Sequence, residues 1–186
     1  MTAYIVAVSG MSGSGKTSVI QRASGLLGDA VVLHFDEYIE SSTYPPDLKD
    51  WLDRGADVDE WKTPRLASDV RALREGGARY VLLEEPFGRM RRELRDLIDL
   101  AVHLDVPADI LLARRLLRRL EEERHQGEKL LDRVQKDLNL HLATGRELEI
   151  VGAAAGKAAA DVVLDGTRPL DELAQELVNE IRARHR

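Results

Sequence analysis

Short apolar runs alternate with longer stretches of helical periodicity along this chain. Ala3-Tyr-Ile-Val-Ala-Val8 is a run of β-formers closed by a glycine-rich segment, and it predicts a buried strand. Val31-Val-Leu-His-Phe35, Arg79-Tyr-Val-Leu-Leu83, Asp99-Leu-Ala-Val-His-Leu104 and Ala160-Asp-Val-Val-Leu164 predict four more. Helical segments are expected over 16–27, 64–75, 90–95, 107–125, 130–143 and 170–183, with Gly28 and Gly76-Gly77 as terminators. Residues 38–63 are irregular, broken by Tyr44-Pro45-Pro46, with a short helix over 48–52. No internal repeat is present, and Gly152-Ala-Ala-Ala-Gly156 is the nearest approach to a linker.

Strands that are apolar throughout and separated by helices imply a mainly parallel sheet covered on both faces. The expected architecture is α/β: three layers, a five-stranded parallel sheet, one domain over 1–186. Ligands in such sheets bind beyond the carboxyl ends of the strands. The glycine-rich and acidic segments stand at those ends.

Composition narrows the function by exclusion. A net charge of −6 disfavours nucleic acid or an anionic membrane as partner. The chain has no cysteine, which removes thiolate catalysis, disulfides and cysteine-bound zinc. No H-x-x-x-H or H-E-x-x-H pattern occurs among the five histidines. No apolar run approaches the ~20 residues of a membrane helix, and no secretion signal is evident. A cytoplasmic location is the expectation.

The chemistry is concentrated in Gly10-Met-Ser-Gly-Ser-Gly15-Lys16-Thr17, a full match to G-x-x-x-x-G-K-S/T between a strand and a helix. Glycines let successive N–H groups point into one concavity, and the following helix adds its positive N-terminal dipole. Gly10, Ser12, Gly13, Ser14, Gly15, Lys16, Thr17 and Ser18 are therefore the candidate nucleoside-triphosphate cradle. Lys16 is placed to reach the β and γ phosphates, and the Thr17 hydroxyl to ligate Mg²⁺.

Carboxylates are needed near the γ phosphate to hold the Mg²⁺ shell and to take a proton. Asp36 stands at the end of the second strand, 20 residues after Lys16, and is the candidate base; an acidic cap on the next segment is the plain alternative. Glu84 and Glu85 close the third strand, and one of them is expected at the metal shell. Arg114, Arg115, Arg118 and Arg119 share one side of a helix whose apolar face reads 113, 116, 117 and 120. They either clamp a triphosphate or form a solvated face paired through Arg118–Glu122 and Arg119–Glu123. Five of the eight aromatics lie within 35–61, as acceptor pocket or as a small local core. Tyr38, Tyr44 and Trp61, with Arg65 and Arg89, are the candidate acceptor contacts, and Arg54, Lys62, Arg91 and Arg92 are further basic candidates. The many acids of this window disfavour a heavily phosphorylated acceptor.

Taken in order, these pieces resemble the uridine kinase and phosphoribulokinase-like group of P-loop kinases: phosphate loop, a strand leading to Phe35-Asp36-Glu37-Tyr38, and a strand ending Glu84-Glu85. The resemblance implies ATP with Mg²⁺, a small-molecule phosphate acceptor, and Asp36 as base. It also implies an arginine-bearing lid over about 114–147, with Arg114, Arg115 and Arg118 matching an Arg-Arg-x-x-Arg helix. Uridine kinases usually have Glu-Gly where this chain has Glu84-Glu85-Pro-Phe-Gly88, an alignment that favours Glu85 at the metal with Glu84 close behind. The implied acceptor is a nucleoside or ribosyl compound, with a sugar acid second. A regulatory NTPase switch is the competing class, but neither N-K-x-D nor L-S-G-G-Q occurs.

Overall fold

The computed structural model describes residues 2–185. Its centre is β1 (Tyr4–Ser9), which leads through the glycine loop into α1 (Lys16–Leu27). The chain continues as β2 (Ala30–His34), α2 (Leu48–Asp53), α3 (Pro64–Glu75), β3 (Tyr80–Glu84) and α4 (Arg92–Arg95). It closes with β4 (Leu100–Asp105), α5 (Ala108–Glu122), α6 (Glu128–Leu140), α7 (Arg146–Ala158), β5 (Val162–Asp165) and α8 (Leu170–Arg184).

All four strand pairings are parallel, in the order β2-β3-β1-β4-β5. Alternation along β1 divides the core in two. Val6 and Val8 pack with Val19 and Ile20 of α1 and Leu177 and Ile181 of α8. Ile5 and Ala7 pack the other way, with Leu66 and Val70 of α3 and Leu94 of α4. The inner strands are buried almost throughout, while the edge strands β2 and β5 stay partly open. Parallel register sets Val8 and His34 opposite Glu84, Ser9 opposite His103, and Asp105 opposite Asp165, so the polar residues gather at the carboxyl end of the sheet.

Four local expectations are corrected. The supposed linker Gly152–Gly156 lies inside α7. Its glycines form a packing face: a Cβ at Gly156 would come 2.5 Å from the His103 ring, and one at Gly152 2.8 Å from Met11 Sδ. The helix expected over 130–143 begins two residues earlier and runs through a π-helical stretch, His141–Gly145, directly into α7. The irregular segment after β2 opens with a 3₁₀ helix, Phe35–Ser41, while the helix expected over 90–95 shrinks to one turn. On α5 the buried residue is Leu111, and Leu117 is 59% exposed. The apolar stripe read at 113, 116, 117 and 120 therefore points partly to solvent.

Candidate active site

The loop after β1 is built for an anion. Gly10, Gly13 and Gly15 have φ of 144°, 91° and 93°, values that side chains rarely adopt. A Cβ at Gly10 would meet Ser14 Oγ at 2.7 Å, and one at Gly13 the Leu111 carbonyl at 2.9 Å. Ser14 Oγ is buried without a partner, the sort of group an oxyanion would satisfy. Lys16 Nζ donates to the Met11 carbonyl at 3.4 Å and so arches over the loop. Burial pushes the Lys16 ammonium below its usual pKa, against the opposing pull of Glu84 and then Asp36. Both carboxylates thus lie within electrostatic reach of Lys16.

The twin glutamates part company, as neighbours on a strand must. Glu84 faces the loop: Thr17 Oγ1 donates to its Oε1 at 2.9 Å, and His34 Nδ1 donates to its Oε2 at 2.8 Å. Glu85 points away and is fully buried against Arg91, with bonds of 3.1 and 2.5 Å to its two oxygens. Burial pushes the Glu85 carboxyl pKa up, while Arg91 pulls it down. Of the two candidates for the metal shell, it is Glu84 that stands beside Thr17, while the pairing with Arg91 takes up Glu85. Asp36 sits exposed on the 3₁₀ helix that leaves β2, at the same end of the sheet.

Thr17 and Glu84 fit a nucleotide-borne Mg²⁺, which keeps several waters and takes one or two protein groups plus phosphate oxygens. Among the described residues no cluster of three or more His, Asp or Glu forms a metal cage of its own.

The arginine helix divides its labour. Arg114 donates to the Gly166 carbonyl beyond β5 at 3.1 Å, and to the Gly13 carbonyl at 3.5 Å. Arg115 donates to the Ser12 carbonyl at 2.9 Å and pairs with Glu149 of α7 at 2.5 Å. Arg119 is held by Glu123 and Asp137. Arg118 is exposed and has no ion-pair partner among the described residues, so of the two pairings in the solvated-face alternative only Arg119–Glu123 forms. It borders a cavity of about 290 Å³ between α5 and the 141–145 stretch, beside Ser12.

The acceptor candidates scatter more widely. Tyr38 is buried, donates to Asp69 at 2.9 Å, and carries the Arg65 guanidinium 5.8 Å from its ring. Burial and Asp69 push its pKa up to about 12. Tyr44 and Trp61 stand 5.8 Å apart at the mouth of an open cleft of about 710 Å³. Arg89 is elsewhere: it binds Asp161 and the carbonyls of Ile98 and Asp99, at the amino end of β4 and β5. Sequence reasoning passed over His34 and, among the arginines after the third strand, set Arg89 ahead of Arg91, which proves to be the buried one. Periodicity shows neither; for His34 a signal did exist, its place one residue from a strand end.

A family model described as an AAA domain matches residues 6–137. The uridine kinase of Borreliella burgdorferi (strain ZS7) is 26% identical over 152 residues, covering 70% of this chain and 74% of its own. Shikimate kinase from Acinetobacter baumannii shares the fold at a TM-score of 0.53 and 17% identity, over 98% of this chain and 94% of its own. A gluconokinase from Sinorhizobium meliloti 1021 does so at 0.53 and 19%, over 99% and 94%. With a complete phosphate loop at the carboxyl end of β1 and a family match across most of its length, the chain belongs to the AAA-domain family and carries the P-loop kinase fold.

Proposed function

We propose that this protein is a small-molecule kinase that moves the γ phosphate of ATP to a hydroxyl of an uncharged, nucleoside-like acceptor. The observation that carries this is the joining of Thr17 to Glu84 at 2.9 Å beside Lys16, with Asp36 at the neighbouring strand end. That constellation supports phosphoryl transfer more than slow switching, because it offers a proton acceptor as well as a phosphate clamp. Asp36 takes the proton of the acceptor hydroxyl as its oxygen bonds to the γ phosphorus and the bond to ADP breaks. Lys16, Ser14 and the loop amides hold the phosphates, and Arg118, without an ion pair among the described residues, meets charge on the moving group. Mg²⁺, held beside Thr17 and Glu84, would supply charge neutralisation on the phosphate oxygens.

A neutral acceptor fits the segment over 36–63. Four of its nine acids are paired with nearby bases, Asp50 and Glu60 with Arg54, Asp53 with Lys49 and Asp59 with Arg92, and the other five add negative charge. Of the three bases in the segment Lys49 and Arg54 are taken up by these pairs, which leaves Lys62 alone to meet a sugar acid. The similarity to a uridine kinase supports the same choice.

The test is ADP release from Mg-ATP across nucleosides, sugars and hydroxy acids, with a control lacking acceptor. Both tryptophans of the chain, Trp51 and Trp61, lie in the acceptor segment, so their emission reports acceptor binding directly. Asp36→Asn should lower transfer by about 10² to 10⁴ and leave ATP affinity nearly intact. Stimulation only by sugar acids would overturn the nucleoside assignment, and a sizeable rate indifferent to every acceptor would favour an NTPase switch.

A further inference from the structure

Arg91 is among the largest side chains with no exposed surface, an unusual place for an arginine. It lies between β3 and α4, outside the phosphate loop and the lid. Nε and Nη2 donate to the two oxygens of Glu85 at 3.1 and 2.5 Å. Nη1 donates to the Trp61 carbonyl and to Thr63 Oγ1, both at 2.8 Å. The guanidinium carbon stands 5.6 Å from the Phe35 ring centre and 5.7 Å from that of Phe87.

These partners belong to three parts of the proposed acceptor site. Glu85 follows the acid that meets Thr17. Phe35 precedes Asp36. Trp61 and Thr63 form the end of the acceptor segment, whose Thr63 N–H is also bound by Glu93 at 2.9 Å. Among the described residues neither Arg91 nor Glu85 hydrogen-bonds to residues 10–18. For packing alone, an apolar side chain of similar volume serves as well or better than a buried ion pair. What only a guanidinium supplies is direction: donors in a rigid fork, joining a carboxylate to groups 28 and 30 residues earlier in the chain.

We infer that Arg91 is a positioning residue for the phosphate acceptor. It locks the end of the acceptor segment onto β3 independently of the nucleotide loop, and so sets acceptor affinity rather than ATP affinity. This rests on the kinase reading above.

Arg91→Lys keeps the charge and loses the fork. Thr63→Val removes one acceptor of the network while leaving the ion pair whole, and covers the case that the first variant folds poorly. Amide hydrogen exchange over residues 43–62 and the Kd for Mg-ATP are measured for both, together with KM and kcat for the acceptor found in the panel. Losing one or more buried hydrogen bonds should speed exchange and raise acceptor KM by roughly tenfold in Arg91→Lys and about threefold in Thr63→Val. ATP affinity should stay within about twofold and kcat within about threefold, since neither residue bonds to the phosphate loop. Unchanged exchange in both variants, or an ATP affinity that falls as far as acceptor affinity, would make Arg91 a general core prop and overturn the inference. A wild-type protein indifferent to every acceptor sinks the kinase reading alone, because exchange and ATP affinity still decide what Arg91 holds.

Discussion

Two adjacent glutamates with opposite tasks show what a single residue step does at a strand end. The composition of Glu84-Glu85 cannot separate them; the pleat does, by turning one toward Thr17 and the other into the core beside Arg91. Glu84→Gln should leave the fold intact and raise the Mg²⁺ needed for half-maximal activity by about tenfold or more, as loss of a metal-orienting group does. Glu85→Gln strands a buried guanidinium without its counter-charge, at a cost of about 3 kcal/mol or more and a fall in Tm on the order of 10 °C. Metal titration of activity beside thermal melts distinguishes the two. A larger shift in metal requirement for Glu85→Gln than for Glu84→Gln would reverse the assignment. The burial of Arg91 was equally illegible: a charged residue in a charge-rich stretch gives no pattern, and its burial follows from where Phe35, Trp61 and Phe87 close around it.

At the scale of elements, the strands and most helices were legible because their apolar runs are short, β-rich and punctuated. The phosphate loop was legible to the residue, since each glycine there answers a backbone demand. Helix α7 was not. Its central Gly-Ala-Ala-Ala-Gly has too little contrast to show a period, yet alanine favours the helix and the glycines allow it to lie close on β4 and Met11. Gly156→Ala tests this. Its methyl would stand 2.5 Å from the buried His103 ring, a contact that forces the ring or the helix to move. Such overpacking costs about 1–3 kcal/mol, outweighing the gain of several tenths from better helix propensity. Urea denaturation should show a lower midpoint with unchanged slope; a more stable variant would mean that the ring yields freely.

The whole molecule joins these elements at the carboxyl end of the sheet, and His103 shows how that end ties stability to pH. The ring is buried at the end of β4, 3.0 Å from Ser9 Oγ of β1 and packed under Gly156 of α7, with Lys157 bound to Asp105 close by. Burial lowers its pKa first of all, with Asp105 opposing and Lys157 and Lys16 adding to the shift. The folded protein therefore holds this ring neutral at a pH where the unfolded chain protonates it. Below the ordinary histidine value of about 6.5 the unfolded state binds the extra proton, so stability falls as pH drops, by at most about 1.4 kcal/mol per pH unit. Above that value the ring is neutral in both states and contributes no slope. Net charge is −6 at pH 7, so mild acidification also relieves self-repulsion and acts in the opposite direction. The two effects separate by mutation. His103→Asn should lose stability at pH 7.5 yet show a flatter dependence between pH 6.5 and 5.5, measured by urea unfolding at each pH. An unchanged slope in that variant would assign the acid sensitivity to other groups and leave His103 a packing residue only.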